Sequence, residues 1–141
     1  IFESEGLDLN RVCIGHSTDT TDIGYLSGLA DKGVWLGLDT FPGPDPQLSQ
    51  NSQSRPDWEQ RTEVVKTLID AGYGNRILLS HDWCVIKPWG SREEQEQVQR
   101  FNPDSYLFVT RRVLPRLEEM GCSRELINQI MVDNPRRFFE G

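Results

Sequence analysis

An α/β fold built on a parallel sheet is predicted by three features of this 141-residue chain. Short, nearly continuous apolar runs alternate with stretches whose apolar residues recur at helical spacing, the β-α-β order that leads to parallel strands and right-handed crossovers. The links from helix to strand are tight, at Gly33 and over residues 72–76. Two of the three links from strand to helix are long, residues 41–56 and 83–101, and they leave the carboxyl edge of the sheet, where α/β barrels and open α/β sheets bind their ligands.

Residues 12–17 form the first apolar run and end on the polar pair His16 and Ser17. Asp22 is placed to cap a helix carrying Ile23, Leu26, Leu29 and Ala30, with Gly33 as its stop. Residues 34–40 are apolar at almost every position until Asp39 and Thr40, as in a strand covered on both faces. The segment 41–56 then holds four prolines and is too long for a plain connection. Asp57 with Gln60 marks the next helix start, Val64, Val65, Leu68 and Ile69 its apolar stripe, and Gly72 its end. A third strand is expected over residues 77–82, followed by a long loop to Phe101. Asn102 and Pro103 begin a helix that Pro115 should bend and Gly121 should end. Ser123 opens another to about Met131, and Asn134 with Pro135 opens a last turn through Phe138 and Phe139.

Composition narrows the function. With 15 basic and 22 acidic side chains the net charge is −7, so the clustered positive charge that nucleic acid binding requires is missing. No apolar run approaches the length of a membrane span, and no apolar leader follows Ile1. The chain is expected to start mid-protein. Cys13, Cys84 and Cys122 are widely spaced and odd in number, which indicates neither a disulfide framework nor a cysteine zinc site.

The chemistry-bearing residues His16, Asp39, Thr40 and Asp82 all end strands. Strand alternation puts Val12, Ile14 and His16 on one face and Leu78, Ser80 and Asp82 on the matching face of the third strand, so His16 and Asp82 are both expected to project inward at the carboxyl rim. An imidazole and a carboxylate suit zinc, manganese or cobalt, but two ligands are too few for a tight site. The plainer reading makes His16 a hydrogen-bonded rim residue and Asp82 a loop anchor.

The opening Ile1-Phe2-Glu3-Ser4-Glu5-Gly6-Leu7 and the run Arg11-Val12-Cys13-Ile14-Gly15-His16-Ser17 closely resemble bacterial phosphotriesterases. So do Asp19-Thr20-Thr21-Asp22, Gly37-Leu38-Asp39, Leu79-Ser80-His81-Asp82-Trp83 and the closing Asn134-Pro135-Arg136-Arg137-Phe138-Phe139. The resemblance extends to phosphotriesterase-like lactonases within the amidohydrolase superfamily and runs the whole chain in order. It implies a (β/α)8 TIM barrel of which strands six to eight and their helices are present, making residues 1–141 a single partial domain without its amino-terminal half. It also implies two divalent metal ions, zinc first, with cobalt, manganese or iron as alternatives. Under it, His16 is the last histidine ligand and Asp82 the carboxylate on the other metal and the general base, for a metal-activated hydroxide that cleaves phosphotriesters or lactones. Asp19 matches an acid in the proton relay behind Asp82, or else an acidic loop residue beside a helix amino terminus.

Thr40 departs from the family pattern, which has histidine or arginine after Gly-Leu-Asp, and threonine cannot relay a proton as imidazole does. Three explanations stay open: water bridges Asp82 to Asp19, Arg55 or another residue of the long loop fills the gap, or the substrate is easier. Trp83 and Cys84, followed by Lys87, Trp89 and Gly90, resemble a lactonase loop, so Thr40, Trp83, Cys84 and Trp89 are expected to line the substrate pocket. His81 should point away from the interior, and Arg111, Arg112, Arg136 and Arg137 read as solvated helix faces. The expected partner is a small-molecule ester, with no nucleic acid and no membrane span, in a homodimer at full length. The expected location is cytoplasmic, with a periplasmic or secreted place left open by the missing amino terminus. The chain alone is expected to be inactive. The alternative is a non-catalytic half-barrel remnant that associates through its exposed strand edges.

Overall fold

The computed structural model describes residues 1–43, 45, 55–83 and 90–140. Three parallel strands, β1 (Cys13–Ile14), β2 (Trp35–Leu38) and β3 (Ile77–Leu79), lie side by side in chain order. All three are shorter than the apolar runs that predict them. Outer strands β1 and β3 each have one described neighbour, and the chain leaves extended geometry soon after both, with φ of 56° at His16 and 44° at Asp82.

Register decides the faces. Ile14 pairs with Leu36 and Leu36 with Ile77, while Cys13 pairs with Trp35 and Gly37 with Leu78. Paired residues of parallel strands share a face. Ile14, Leu36, Leu38, Ile77 and Leu79 therefore face one way and Cys13, Trp35, Gly37 and Leu78 the other, which corrects the expectation that Ile14 and Leu78 share a face. On the second face the strands approach closely: a Cβ on Gly37 would stand 3.0 Å from the Gly15 Cα and 3.1 Å from the Ile14 carbonyl oxygen.

Helix α1 (Ile23–Asp31) starts where Asp22 accepts the Tyr25 N–H, and α2 (Trp58–Leu68) starts at a full capping box of Asp57 and Gln60. Their buried Leu26, Ala30, Val64, Val65 and Leu68 pack with Leu36, Leu38 and Ile77 into one core. Phe108, Val109, Val113, Leu117 and Ile130 from the carboxyl-terminal helices close it. At about 1.5–3 kcal/mol per buried large apolar side chain, this layer is what holds the strand ends in register.

The loop expected over residues 83–101 contains a helix, α3 (Arg92–Phe101), opened by a Ser91–Glu94 capping box. Val98 is its one buried residue, so no apolar stripe announces it. Part of its support is local, Arg92 and Arg100 both reaching Glu96 four residues away, and part is not, Gln97 donating to the Asp45 Oδ2 at 3.4 Å. Asn102 is the C-cap of α3 rather than the start of a helix: its Oδ1 accepts the Ser105 N–H at 2.9 Å, and a 3-10 turn over Ser105–Leu107 follows with Asp104 at its N-cap. Pro115 falls in the first turn of α4 (Leu114–Glu119), directly after a π turn over Val109–Val113. A proline there has no N–H to give the preceding turn, which accounts for the π turn before it. Helices α5 (Arg124–Asn128) and α6 (Asn134–Glu140) complete the described chain, again with a π turn between them. The buried Asn134 donates to the carbonyls of Gly74 and Ile77 and so ties α6 to the start of β3.

Candidate metal-binding rim

His16 follows β1, Asp39 follows β2 and Asp82 follows β3 by three residues, and the sheet brings the three side chains to its carboxyl edge. The His16 Nδ1 lies 3.8 Å from the Asp82 Oδ2 and 3.9 Å from the Asp39 Oδ1. His16 and Asp82 thus approach each other at the carboxyl edge, although β1 and β3 are not neighbours. Alternation from Ile14 would turn His16 toward the helices; the left-handed residue at position 16 turns it back. Side chains with a Cβ rarely occupy that region, so its use at both His16 and Asp82 marks the rim as a place where the fold imposes geometry.

Asp39 joins the pair directly, since its Oδ1 accepts the His16 N–H at 2.7 Å. Sequence reading noted Asp39 as a polar strand end and within the Gly37-Leu38-Asp39 motif, and gave it no role at the site. The rim is open: the His16 and Asp82 side chains are 57% and 63% exposed, and Asp39 is less so at 29%. An exposed imidazole and two carboxylates suit a divalent ion of the zinc, manganese or cobalt type. They amount to part of a donor set, because among the described residues no group of three or more His, Cys, Asp or Glu side chains is arranged to hold an ion.

Behind the rim lies a buried polar network. Arg61, fully buried in the second turn of α2, donates from Nε to the Pro56 carbonyl at 2.8 Å and from Nη2 to the Asp19 Oδ1 at 3.0 Å. Its Nη1 donates to the Thr18 Oγ1 at 3.0 Å and also to the Thr40 Oγ1. The Thr18 and Thr40 hydroxyls are 2.7 Å apart, and Thr40 also donates to the Asp19 Oδ1 at 3.3 Å. Arg55 reaches the other oxygen of Asp19 at 3.3 Å. Burial pushes the Arg61 guanidinium below its ordinary range and Asp19 pulls it back up. Gly43 makes room: a Cβ there would lie 3.0 Å from the Arg61 Nε.

Thr40 thus has its hydroxyl turned into this network, and Asp19 stands between two arginines. Of the open explanations for Thr40, Arg55 does approach Asp19, but Arg61, outside the long loop, makes more of the contacts. Sequence reading missed Arg61. Its signal was an arginine at the head of the stripe Arg61, Val64, Val65, Leu68, a charged residue on the apolar face of a helix.

Trp83 is half-buried beside Asp82, while Cys84, Lys87 and Trp89 lie outside the described residues. His81 turns toward the helices, its Nε2 accepting the Val109 N–H at 3.1 Å with Tyr106 edge-on to its ring. Cys13 is a half-buried free thiol, pushed up by burial and by Asp39. Arg111 and Arg112, read as solvated, both pair with Asp104 at 3.2 and 2.8 Å. No helix among the described residues is long and apolar enough to cross a membrane.

The model of the phosphotriesterase family matches residues 1–139. A phosphotriesterase homology protein of Mycobacterium tuberculosis is 37% identical over 141 residues, covering 99% of this chain and 40% of that protein. An aryldialkylphosphatase of Saccharolobus solfataricus is 32% identical over 139 residues, covering 99% of this chain and 41% of that protein. The solved structure of the phosphotriesterase from Mycobacterium tuberculosis superposes with a TM-score of 0.82 at 35% identity, again over 99% of this chain and 40% of that one. The chain therefore spans about two fifths of the length of these relatives, and its parallel sheet with helices matches a fragment of a phosphotriesterase barrel.

Proposed function

Because the chain belongs to the phosphotriesterase family, we propose that residues 1–141 supply the carboxyl-terminal share of a metal-dependent hydrolase that cleaves phosphotriesters, lactones or both. The observation that carries this reading is the approach of the His16 Nδ1 to the Asp82 Oδ2, 3.8 Å apart from two strands that do not touch. In it, His16 and Asp82 each provide a metal ligand, and the remaining donors come from the part of the barrel that this chain does not span. Two divalent ions, zinc first, with cobalt, manganese or iron as alternatives, would supply Lewis-acid polarisation of a phosphoryl or carbonyl oxygen and water acidified toward neutrality.

The chain's own residues do the rest. Asp39, accepting the His16 N–H, fixes the backbone that carries the imidazole. Asp82 is exposed at the rim and takes the proton released as water attacks. Asp19 is held as the partner of Arg61 and Arg55, so its part is to anchor the loop after His16 rather than to receive that proton. Trp83, with Cys84 and Trp89, forms the proposed pocket wall for an acyl or aryl group. The non-catalytic reading gains no support from a family match that runs through both strand ends bearing His16 and Asp82.

The test is hydrolysis of an aryl phosphotriester and of a lactone by the full-length gene product with zinc or cobalt supplied. Asp82→Asn is expected to lower turnover by about 100-fold or more, the range for losing a positioned acid–base group. Residues 1–141 expressed alone are expected to give none. Full activity of Asp82→Asn, or turnover by residues 1–141 alone, overturns the assignment.

A further inference from the structure

We propose that Arg61 is a positioning residue that holds His16 in its rim-facing conformation by clamping the loops after β1 and β2 to each other; the inference rests on the reading of His16 as a metal ligand. A residue with a side chain stays at a φ of 56° only where its surroundings leave it no alternative. Two bonds enforce it. The His16 N–H is held by the Asp39 Oδ1 at 2.7 Å, and the His16 carbonyl accepts the Asp19 N–H at 3.0 Å.

Both restraints lead back to one guanidinium. Asp19 is fixed by the Arg61 Nη2 and Thr18 by the Arg61 Nη1, which covers the loop after β1. Thr40, the residue next to Asp39, takes a bond from the same Nη1, which covers the loop after β2. The direction of the fork is set by the third donor, Nε, on the Pro56 carbonyl. Arg55 cannot replace it, being half exposed and, among the described residues, paired with Asp19 rather than with either threonine. Lysine cannot replace it either, because a single ammonium does not present three donors in one plane. The case is that of an outer residue that aims a ligand without touching the metal.

The experiment uses the full-length gene product with Arg61→Lys and Thr40→Val, the second removing one acceptor at almost constant volume. In metal-free protein, amide hydrogen exchange over residues 16–19 and 39–40 is expected to quicken about tenfold or more, with α1 unchanged. With cobalt loaded, the visible spectrum is expected to change and the metal to bind about 10–100-fold more weakly. kcat is expected to fall more than KM rises. Unchanged exchange at those amides overturns the proposal, and so does faster exchange with an unaltered cobalt spectrum and affinity, which would make the clamp merely structural. If Arg61→Lys does not fold, Thr40→Val decides by the same readings. If the parent protein takes up no divalent ion, the proposed function fails, and the metal-free exchange still decides whether Arg61 sets the conformation of His16.

Discussion

Asp104 shows what one carboxylate does in this chain. Bonds from Arg112 and Arg111 hold its pKa below the ordinary aspartate value, with Arg112 the larger cause. A group depressed in the folded state contributes stability above its unfolded pKa of about 3.9 and loses it as pH falls through the folded value. Asp104→Asn is therefore expected to lower the melting temperature at pH 6 and to leave less acid loss between about pH 4 and 2. Thermal scans of the full-length protein across that range check it, and equal acid slopes in both proteins would remove Asp104 from the account. Arg61 has the opposite character: it is sealed from water, so its worth lies in the bonds it makes and in the cost of leaving Asp19, Thr18 and Thr40 without it.

Among the elements, α3 draws much of its definition from its own caps and β2 from its neighbours. Helix α3 buries only Val98, so its capping box, its Glu96 pairs and the bond from Gln97 to Asp45 contribute to holding it. Ser91→Ala is expected to cost about 0.5–2 kcal/mol, confined to that helix. Hydrogen exchange should quicken over residues 92–101 while the core amides of Leu36 and Ile77 stay protected; loss of protection at both would show that α3 is part of the cooperative core. Strand β2, by contrast, is buried along its whole length and paired on both sides, and its glycine at position 37 lets β1 come near enough to carry His16 toward the rim.

At the scale of the whole molecule, the sheet ends on both sides in strands with one described partner each, and half-buried Leu78 and Cys13 lie on the face away from the main helical core. Phe2 and Tyr106 are about half exposed, and Ile1 and Phe139 almost wholly so. Open strand edges and uncovered apolar surface favour association and reduce cooperativity. Residues 1–141 expressed alone are expected to melt broadly, to bind a hydrophobic dye and to associate as concentration rises. Scanning calorimetry with analytical ultracentrifugation checks this, and a sharp, concentration-independent transition of a monomer above about 65 °C would contradict it.

Much of this protein is determined by its sequence alone. The order of strands and helices follows from apolar period, caps and glycine stops; the phosphotriesterase family follows from motifs around His16, Asp39 and Asp82; and the place of His16 and Asp82 at the carboxyl edge follows from the strands they come after. Tertiary structure decided what depends on partners distant in the chain. Alternation cannot reveal that His16 breaks its strand through a left-handed residue, because that conformation is held by Asp39, from the next strand, as well as by the local bond from Asp19. Period alone cannot reveal α3, whose polar face is nearly its whole circumference. Nor can it reveal Arg61, since a buried cation is tolerable only where Asp19, Thr18, Thr40 and the Pro56 carbonyl converge on it, and that convergence exists only once three separate stretches of chain have packed.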